Sequence, residues 1–299
     1  MNVLVSLYKG YGLGDSVQVS VILQHLVKHR PSWIIDYQAE EGKHQVGRGI
    51  INGRTFAHGQ EPPNPKINYD AYVQITLYDK YVKYTDRPNT HIVSCLKDQL
   101  AINWDVSCGR YKVDISSQAD FSASMVVPRK AVAIHYQGKS CSENKNLTHE
   151  QASRICDVIK RIGYIPLLID WNDTSPVRHE PQTISTGGYD WSLAWGSLPE
   201  MNCAVISRCS AFIGIDSGPA KCASATNTPS LVVWTKHHPV KYHDPADNTT
   251  HLIPVNHSSL LPEHNREGVI DWFNKNYNTI TYDTNLIPKI TNWLLRTLT

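Results

Sequence analysis

At 299 residues, with 41% hydrophobic and 19% charged residues, the chain has the composition of a globular protein long enough for two domains of roughly 150 residues each. Its formal net charge of +2 supplies no global attraction for nucleic acid or a membrane, so either partner would need a local patch. The seven cysteines are an odd set with no Cys-x-x-Cys pair, which argues against a disulfide framework and reads as buried thiols in a reducing, cytoplasmic setting.

The chain opens with an apolar run, Asn2 to Leu7, expected as a buried strand and too short for the core of a signal peptide. No stretch approaches the ~20 apolar residues of a spanning helix. Glycines 10, 12 and 14 permit a tight loop, Asp15 falls where a helix N-cap is expected, and an amphipathic segment runs from Ser16 to His29. His25 and His29 share a helix face at metal-ligand spacing, but no cysteine pair or intervening Glu accompanies them, so they read as a solvated face. Pro31 stops the helix and Trp33 to Gln38 is the next strand, completing a βαβ unit. The glycine spacing is not that of the dinucleotide fingerprint Gly-x-Gly-x-x-Gly. Glycine, proline and tyrosine then punctuate residues 40–110, with a strand at Tyr72 to Leu77. Tyr69, Tyr72, Tyr78, Tyr81 and Tyr84 are either stacking platforms for a sugar or base, or half-buried packing. Val113 to Lys130 reads as a polar, serine-rich connection.

The second half repeats the pattern. Ala131 to His135 is a strand, the loop Tyr136 to Lys145 carries glycine and lysine, and Thr148-His-Glu-Gln151 has the form of a capping box for a helix ending at Arg161. A strand follows at Tyr164 to Asp170, then a long loop (Trp171 to Gly196) and a helix from Leu198 to Cys209. Phe212-Ile-Gly-Ile-Asp-Ser-Gly-Pro is an apolar strand that ends in an acidic, glycine-containing turn and enters a small-residue helix through Ala225. Such a turn directs helix N–H groups at one spot, where phosphate is a common occupant; the alternative is a tightly packed βα turn that binds nothing. Ser230 to Trp234 is a further strand, leading into a loop that carries Lys236, His237 and His238. Two α/β halves of similar size predict an α/β fold of two Rossmann-like, doubly wound domains facing a cleft, with Asp15 and Asp216 both at carboxyl ends of strands. The expected domains are residues 1–125 and 126–285, with an amphipathic helix in 286–299. No Asp-x-Asp pair occurs, so no metal site is expected.

The order of Gly14-Asp15 before a helix, Lys145 after the first strand of the second half, and the Asp216-Ser217-Gly218 turn followed by Ala223-Ser-Ala-Thr-Asn-Thr-Pro229 resembles glycosyltransferase family 9, the ADP-heptose:lipopolysaccharide heptosyltransferases. The likeness is best over residues 130–245. It implies a GT-B fold, with a nucleoside-diphosphate sugar bound by the second domain and a glycan or lipopolysaccharide-type acceptor by the first. It also implies Asp15 as general base, and Lys145, Asp216, Ser217 and Gly218 at the donor diphosphate, with no cofactor beyond the substrate itself. His135, Gly14, Lys236, His237 and His238 are additional candidates. Where the family has histidine three residues after the turn glycine, this chain has Lys221, which can serve a diphosphate as a charge but cannot take histidine's proton-transfer role. The resemblance also implies that the last helix packs back on the first domain. Two other readings remain open at this level: transfer to a modified DNA base, for which Lys43, Arg48, Arg54, Lys80, Lys83 and Arg87 would form a basic groove, and a non-catalytic nucleotide-sugar binder.

Overall fold

The computed structural model describes residues 1–60, 69–77, 90–138, 145–170, 176–179, 184–185, 198–261 and 268–299. In the first half, strands β1 (Asn2–Leu7), β2 (Ile34–Ala39), β3 (Thr55–Ala57) and β4 (Ala71–Ile75) form a parallel sheet in the order β3-β2-β1-β4, with helix α1 (Leu13–His29) between β1 and β2. The chain leaves β1 in one direction to build β2 and β3 and returns on the other side as β4. A crevice therefore opens at the carboxyl end of β1, where Leu7 faces Ile75.

The second half is a seven-stranded parallel sheet. Its strands are β5 (Ala131–His135), β6 (Ile165–Leu168), β7 (Ile184–Ser185), β8 (Ala211–Ile215), β9 (Ser230–Val233), β10 (Thr249–Pro254) and β11 (Asn278–Tyr282), in the order β11-β10-β9-β8-β5-β6-β7. The reversal of direction falls between β5 and β8, which pair Val132 with Ala211 through His135 with Gly214. Both strands are buried along their whole length, which is why they read as unbroken apolar runs rather than alternating ones. The helices described in full are α2 (Thr90–Ser94), α3 (Ser117–Val126), α4 (His149–Arg161), α5 (Leu198–Ser207), α6 (Gly218–Ser224), α7 (Pro239–Tyr242), α8 (Val269–Asn276) and α9 (Ile287–Leu298).

Four details differ from the sequence expectations. The serine-rich connection contains α3, because the Ser116 hydroxyl accepts from the Ala119 N–H at 3.2 Å and caps a helix that packs on α5, where Arg208 grips Asp120 through two bonds of 2.9 and 2.7 Å. Asp15 is the third residue of α1, not its N-cap; Gly12 holds that position. His25 is fully buried rather than solvated: its Nδ1 donates to the Val21 carbonyl and its Nε2 accepts the Asp105 N–H. Among the described residues, helix α9 packs on α4 in the second half, where the expectation was the first domain. Its apolar stripe of Ile287, Ile290 and Leu294 meets the matching stripe of α4, Ile155 and Ile159, while the Trp293 indole donates to Thr250 and the Tyr164 hydroxyl to the Leu298 carbonyl.

The main core does not stop at the boundary between the sheets. Val19, Leu23 and Ile35 of the first half and Phe212, Ala220 and Trp234 of the second belong to one cluster, because α1 lies directly against α5 and α6. A second cluster covers the opposite face of the larger sheet under α4 and α9. The approach of α1 to α6 depends on Gly218, where a Cβ would fall 2.7 Å from both Cβ and Cγ of Leu13. Gly218→Ala is expected to cost about 1–3 kcal/mol by overpacking, read as a lower urea midpoint. Gly138→Ala, whose Cβ would meet only an ordinary 3.7 Å contact, is expected to stay within about 0.5 kcal/mol of the parent. Equal midpoints for the two variants would show that this contact does not hold the halves together.

Candidate active site

The site is built where β8 ends. Asp216 leaves the strand, Ser217 adopts an extended conformation, and α6 begins at Gly218 with Pro219 in its first turn. The Ser217 hydroxyl turns back to the Ile215 carbonyl at 3.1 Å and makes no side-chain cap, so the first turn of α6 has no such acceptor for its N–H groups.

Two lysines converge on the Asp216 carboxylate. Lys145, arriving from the loop after β5, places Nζ 3.7 Å from Oδ2, and Lys221, one turn into α6, places Nζ 3.6 Å from Oδ1. All three side chains are nearly closed off from solvent, with 11%, 6% and 8% exposure for Lys145, Lys221 and Asp216. Burial pushes the Asp216 carboxyl up, but Lys221 and Lys145, with His237 and His243 behind them, outweigh it and hold the group below its ordinary value. Among the described residues, two ammonium groups face this one carboxylate, a local surplus of one buried positive charge. Such a charge is costly unless an anion joins it. The separations are ion pairs rather than hydrogen bonds, so the lysines are not locked onto the carboxylate. The Thr235 hydroxyl donates to the Lys145 carbonyl at 3.2 Å and fixes the backbone of that loop to the end of β9.

From the first half, α1 presents its own start. A Cβ on Gly14 would lie 3.2 Å from Lys221 Nζ and 3.3 Å from the Gly218 Cα, so the missing side chain is what admits the lysine and the turn. Asp15 is the next residue. Its Oδ2 accepts the Gly12 N–H at 2.8 Å and its Oδ1 the Gln18 side-chain amide at 3.5 Å, which orients the carboxylate at the start of α1.

Several residues that hold the site carry no motif. Glu40, immediately after β2, accepts the Gly10 N–H at 2.7 Å, pairs with Lys43, and has its carboxyl held below the usual range by that lysine. Lys43 also donates to the Tyr11 carbonyl at 2.6 Å, and the Tyr11 hydroxyl accepts the Leu77 N–H at 2.8 Å. Together these bonds tie the glycine loop to β2 and to the chain just beyond β4. The only advance signal for Glu40 was its place at the carboxyl end of a strand neighbouring β1.

The remaining candidates separate. His135 is buried at the end of β5, where its Nδ1 donates to the Ile169 carbonyl and burial lowers its pKa to about 4. His238 is taken up by the fold: Nδ1 accepts the Val240 N–H, Nε2 faces His257 at 2.9 Å, and burial lowers its pKa to about 3. His237 is half-buried against Tyr242 and close enough to Asp216 to feel its charge, whereas Lys236 is exposed. His243, which sequence reasoning passed over, is fully buried with its Nε2 3.2 Å from the Ser224 hydroxyl; burial and then Lys221 lower its pKa to about 4. Of the six residues of the expected basic groove, Lys43 is bound to Glu40, Arg48 lies 3.9 Å from Glu200 and Arg54 is bound to Asp36, while Lys80, Lys83 and Arg87 lie outside the described residues. Tyr69 likewise donates to Asp36, Tyr72 is exposed, and Tyr78, Tyr81 and Tyr84 lie outside the described residues.

With this geometry in place, the comparisons with known proteins are specific. Residues 196–269, which contain the whole β8–α6 turn, match the family model of glycosyltransferase family 9 (heptosyltransferase). The fold is similar to that of Escherichia coli ADP-heptose lipopolysaccharide heptosyltransferase II, with a TM-score of 0.65 at 13% identity over 92% of this chain and 98% of that one. It is also similar to a glycosyl transferase family 9 protein from Veillonella parvula (TM-score 0.60, 16% identity, 84% of this chain and 86% of that one) and to E. coli heptosyltransferase WaaC with ADP (0.57, 14%, 92% and 100%). No curated protein matches the chain in sequence. The architecture is therefore the two-sheet, GT-B type of these glycosyltransferases. The family-9 resemblance read from the motifs is met by the family model over the same turn, and it supports glycosyltransferase activity. No helix among the described residues is long and apolar enough to cross a membrane.

The buried histidines set a pH dependence. Above pH 6.5 His135, His238 and His243 are neutral in both the folded and unfolded chain and contribute no slope. Below it the unfolded chain takes up protons that the folded one refuses until about pH 4, so stability falls as pH falls. The Asp216 contribution, present above the ordinary carboxyl range, is lost only below that window. The melting temperature is expected to be level from pH 8 to 7 and to decline from 6.5 to 4. A level profile down to pH 4.5 would contradict the burial of these rings.

Proposed function

We propose that the chain transfers a sugar from a nucleoside-diphosphate sugar to a hydroxyl of a glycan acceptor of the lipopolysaccharide type, without a metal ion, in a reducing, cytoplasmic compartment. The observation that carries this reading is the buried Lys145–Asp216–Lys221 cluster, whose surplus positive charge sits at the switch point of the larger sheet. The similar structures, an ADP-heptose lipopolysaccharide heptosyltransferase and a heptosyltransferase with ADP, favour this donor class and this acceptor class. The six described cysteines are all buried thiols, which fits a reducing compartment.

The chemistry follows from where charge moves. The bond between the anomeric carbon and the diphosphate oxygen breaks, and its electron pair goes to the leaving nucleoside diphosphate. Lys145 and Lys221 neutralise that charge as it develops, with the N–H groups of Ser217 and Gly218 beside them. Two ammonium groups take the part that a divalent ion plays in metal-dependent transferases. Asp216 holds both lysines aimed at one point. The acceptor hydroxyl forms the new bond to the anomeric carbon and gives its proton to Asp15, whose carboxylate is oriented by the Gly12 N–H and the Gln18 amide. Lys221 in place of histidine puts a permanent charge at the diphosphate, so this chain relies on electrostatics there and not on proton transfer.

The test is a release assay for nucleoside diphosphate in excess chelator, using the donor that a thermal-shift panel of ADP-, UDP- and GDP-sugars selects. The parent chain is expected to turn over in chelator. Asp15→Asn is expected to lose about 10²–10⁴-fold in kcat while keeping its nucleotide affinity within about twofold. Near-normal turnover of that variant would remove Asp15 as the base, and turnover abolished by chelator and restored by magnesium or manganese would remove the metal-free mechanism.

A further inference from the structure

A groove lies at the far end of α1. Trp104 and Trp272, one from each half, flank a groove of 720 Å³ whose rim carries Asn103, Asn276, Arg110 and Asp247. Its volume is that of a small-molecule site, in the ~300–1,000 Å³ range. The groove is remote from the transfer chemistry. Trp104 packs on His25, with ring centroids 4.8 Å apart, and ten residues of helix separate His25 from Asp15, roughly 15 Å at 1.5 Å per residue. On the other side, Pro245 and Asp247 precede β10, at the amino end of a parallel sheet whose lysine cluster lies at the carboxyl end.

We propose that this groove binds a pyranose unit of a glycan, outside the site of transfer. Both indoles are half-buried, leaving part of each ring toward the groove. An indole face carries negative quadrupole charge, which suits the partly positive C–H groups on the apolar face of a pyranose. The rim suits the hydroxyls. Asn103 and Asn276 bring side-chain amides, the Asn276 amide also donating to the Trp272 carbonyl at 2.7 Å, and Lys97, Arg110 and Asp247 add further donors and acceptors. The Arg110–Asp247 pair spans the two halves, yet its side chains are 77% and 85% exposed, so water screens it and it contributes little to stability. Its effect is to hold a guanidinium and a carboxylate together over the groove, a pairing that adjacent hydroxyls of a sugar can bridge. The lining also discriminates against other ligands. A purely apolar ligand would strip water from two amides and an ion pair without replacing their hydrogen bonds, which sugar hydroxyls can replace. The proposal stands independently of the transfer reaction, since none of these residues belongs to the lysine cluster or to the glycine loop.

Maltotriose and chitotriose are suitable probes, followed by saturation-transfer NMR and tryptophan fluorescence on the full chain. At least one trimer is expected to bind the parent, with Trp272→Ala and Asn276→Ala each weakening it at least tenfold and Trp272→Phe restoring most of the loss. Lys145→Ala, which alters only the donor cluster, is expected to leave trimer binding within twofold. Asn276 is exposed, so its variant keeps the test valid if Trp272→Ala fails to fold. Failure of the parent to bind either trimer would overturn the proposal, as would binding lost in Lys145→Ala but kept in Asn276→Ala. Because the readout is binding and needs neither donor nor turnover, an inactive transferase that still binds trimer would separate this site from the transfer reading.

Discussion

One buried carboxylate shared by two buried lysines governs the arrangement of this protein. Asp216 cannot be isolated in the apolar end of the larger sheet without partners, and Lys145 and Lys221 cannot be there without Asp216. The three groups come from the ends of β8, the loop after β5 and the first turn of α6, so the cluster forms only once the strand order of the sheet is in place. It also draws the first half inward. A side chain at residue 14 would crowd Lys221 at 3.2 Å, and the close approach of α6 to α1 depends on glycine at residue 218. The charge proposed to receive the leaving group and the packing that joins the halves therefore rest on the same turn.

Much of this was legible in the sequence, for a physical reason. Strands buried on both faces must be apolar at every position, so Ala131–His135 and Ala211–Ile215 stood out with near-correct bounds. The capping box at Thr148 was equally plain, and the structure shows both of its bonds, at 2.9 and 3.1 Å. The turn at Asp216 was legible because acid, hydroxyl, glycine and small-residue helix occur together only where backbone must pass close to something.

What the sequence hid has reasons as definite. Helix α3 is polar and serine-rich, so its signal was a cap and one packed face rather than an apolar stripe. Asp15 looked like an N-cap because glycine at position 12 leaves no side chain to announce the true one. The amphipathic pattern of α9 shows which face is buried but not against what, and a stripe of Ile287, Ile290 and Leu294 fits α4 as well as any surface of the first half. Glu40, Lys43 and His243 act through backbone groups or through burial, which no residue spacing reveals.

The central claim is that the surplus charge of the Lys145–Asp216–Lys221 cluster exists to receive a diphosphate. Calorimetric titration with pyrophosphate isolates that charge from any sugar or base. The account predicts that Lys145→Met and Lys221→Met each weaken binding at least tenfold, about 1.4 kcal/mol, and that raising the salt concentration weakens the parent toward the variants. Pyrophosphate affinity left unchanged by both substitutions would contradict it.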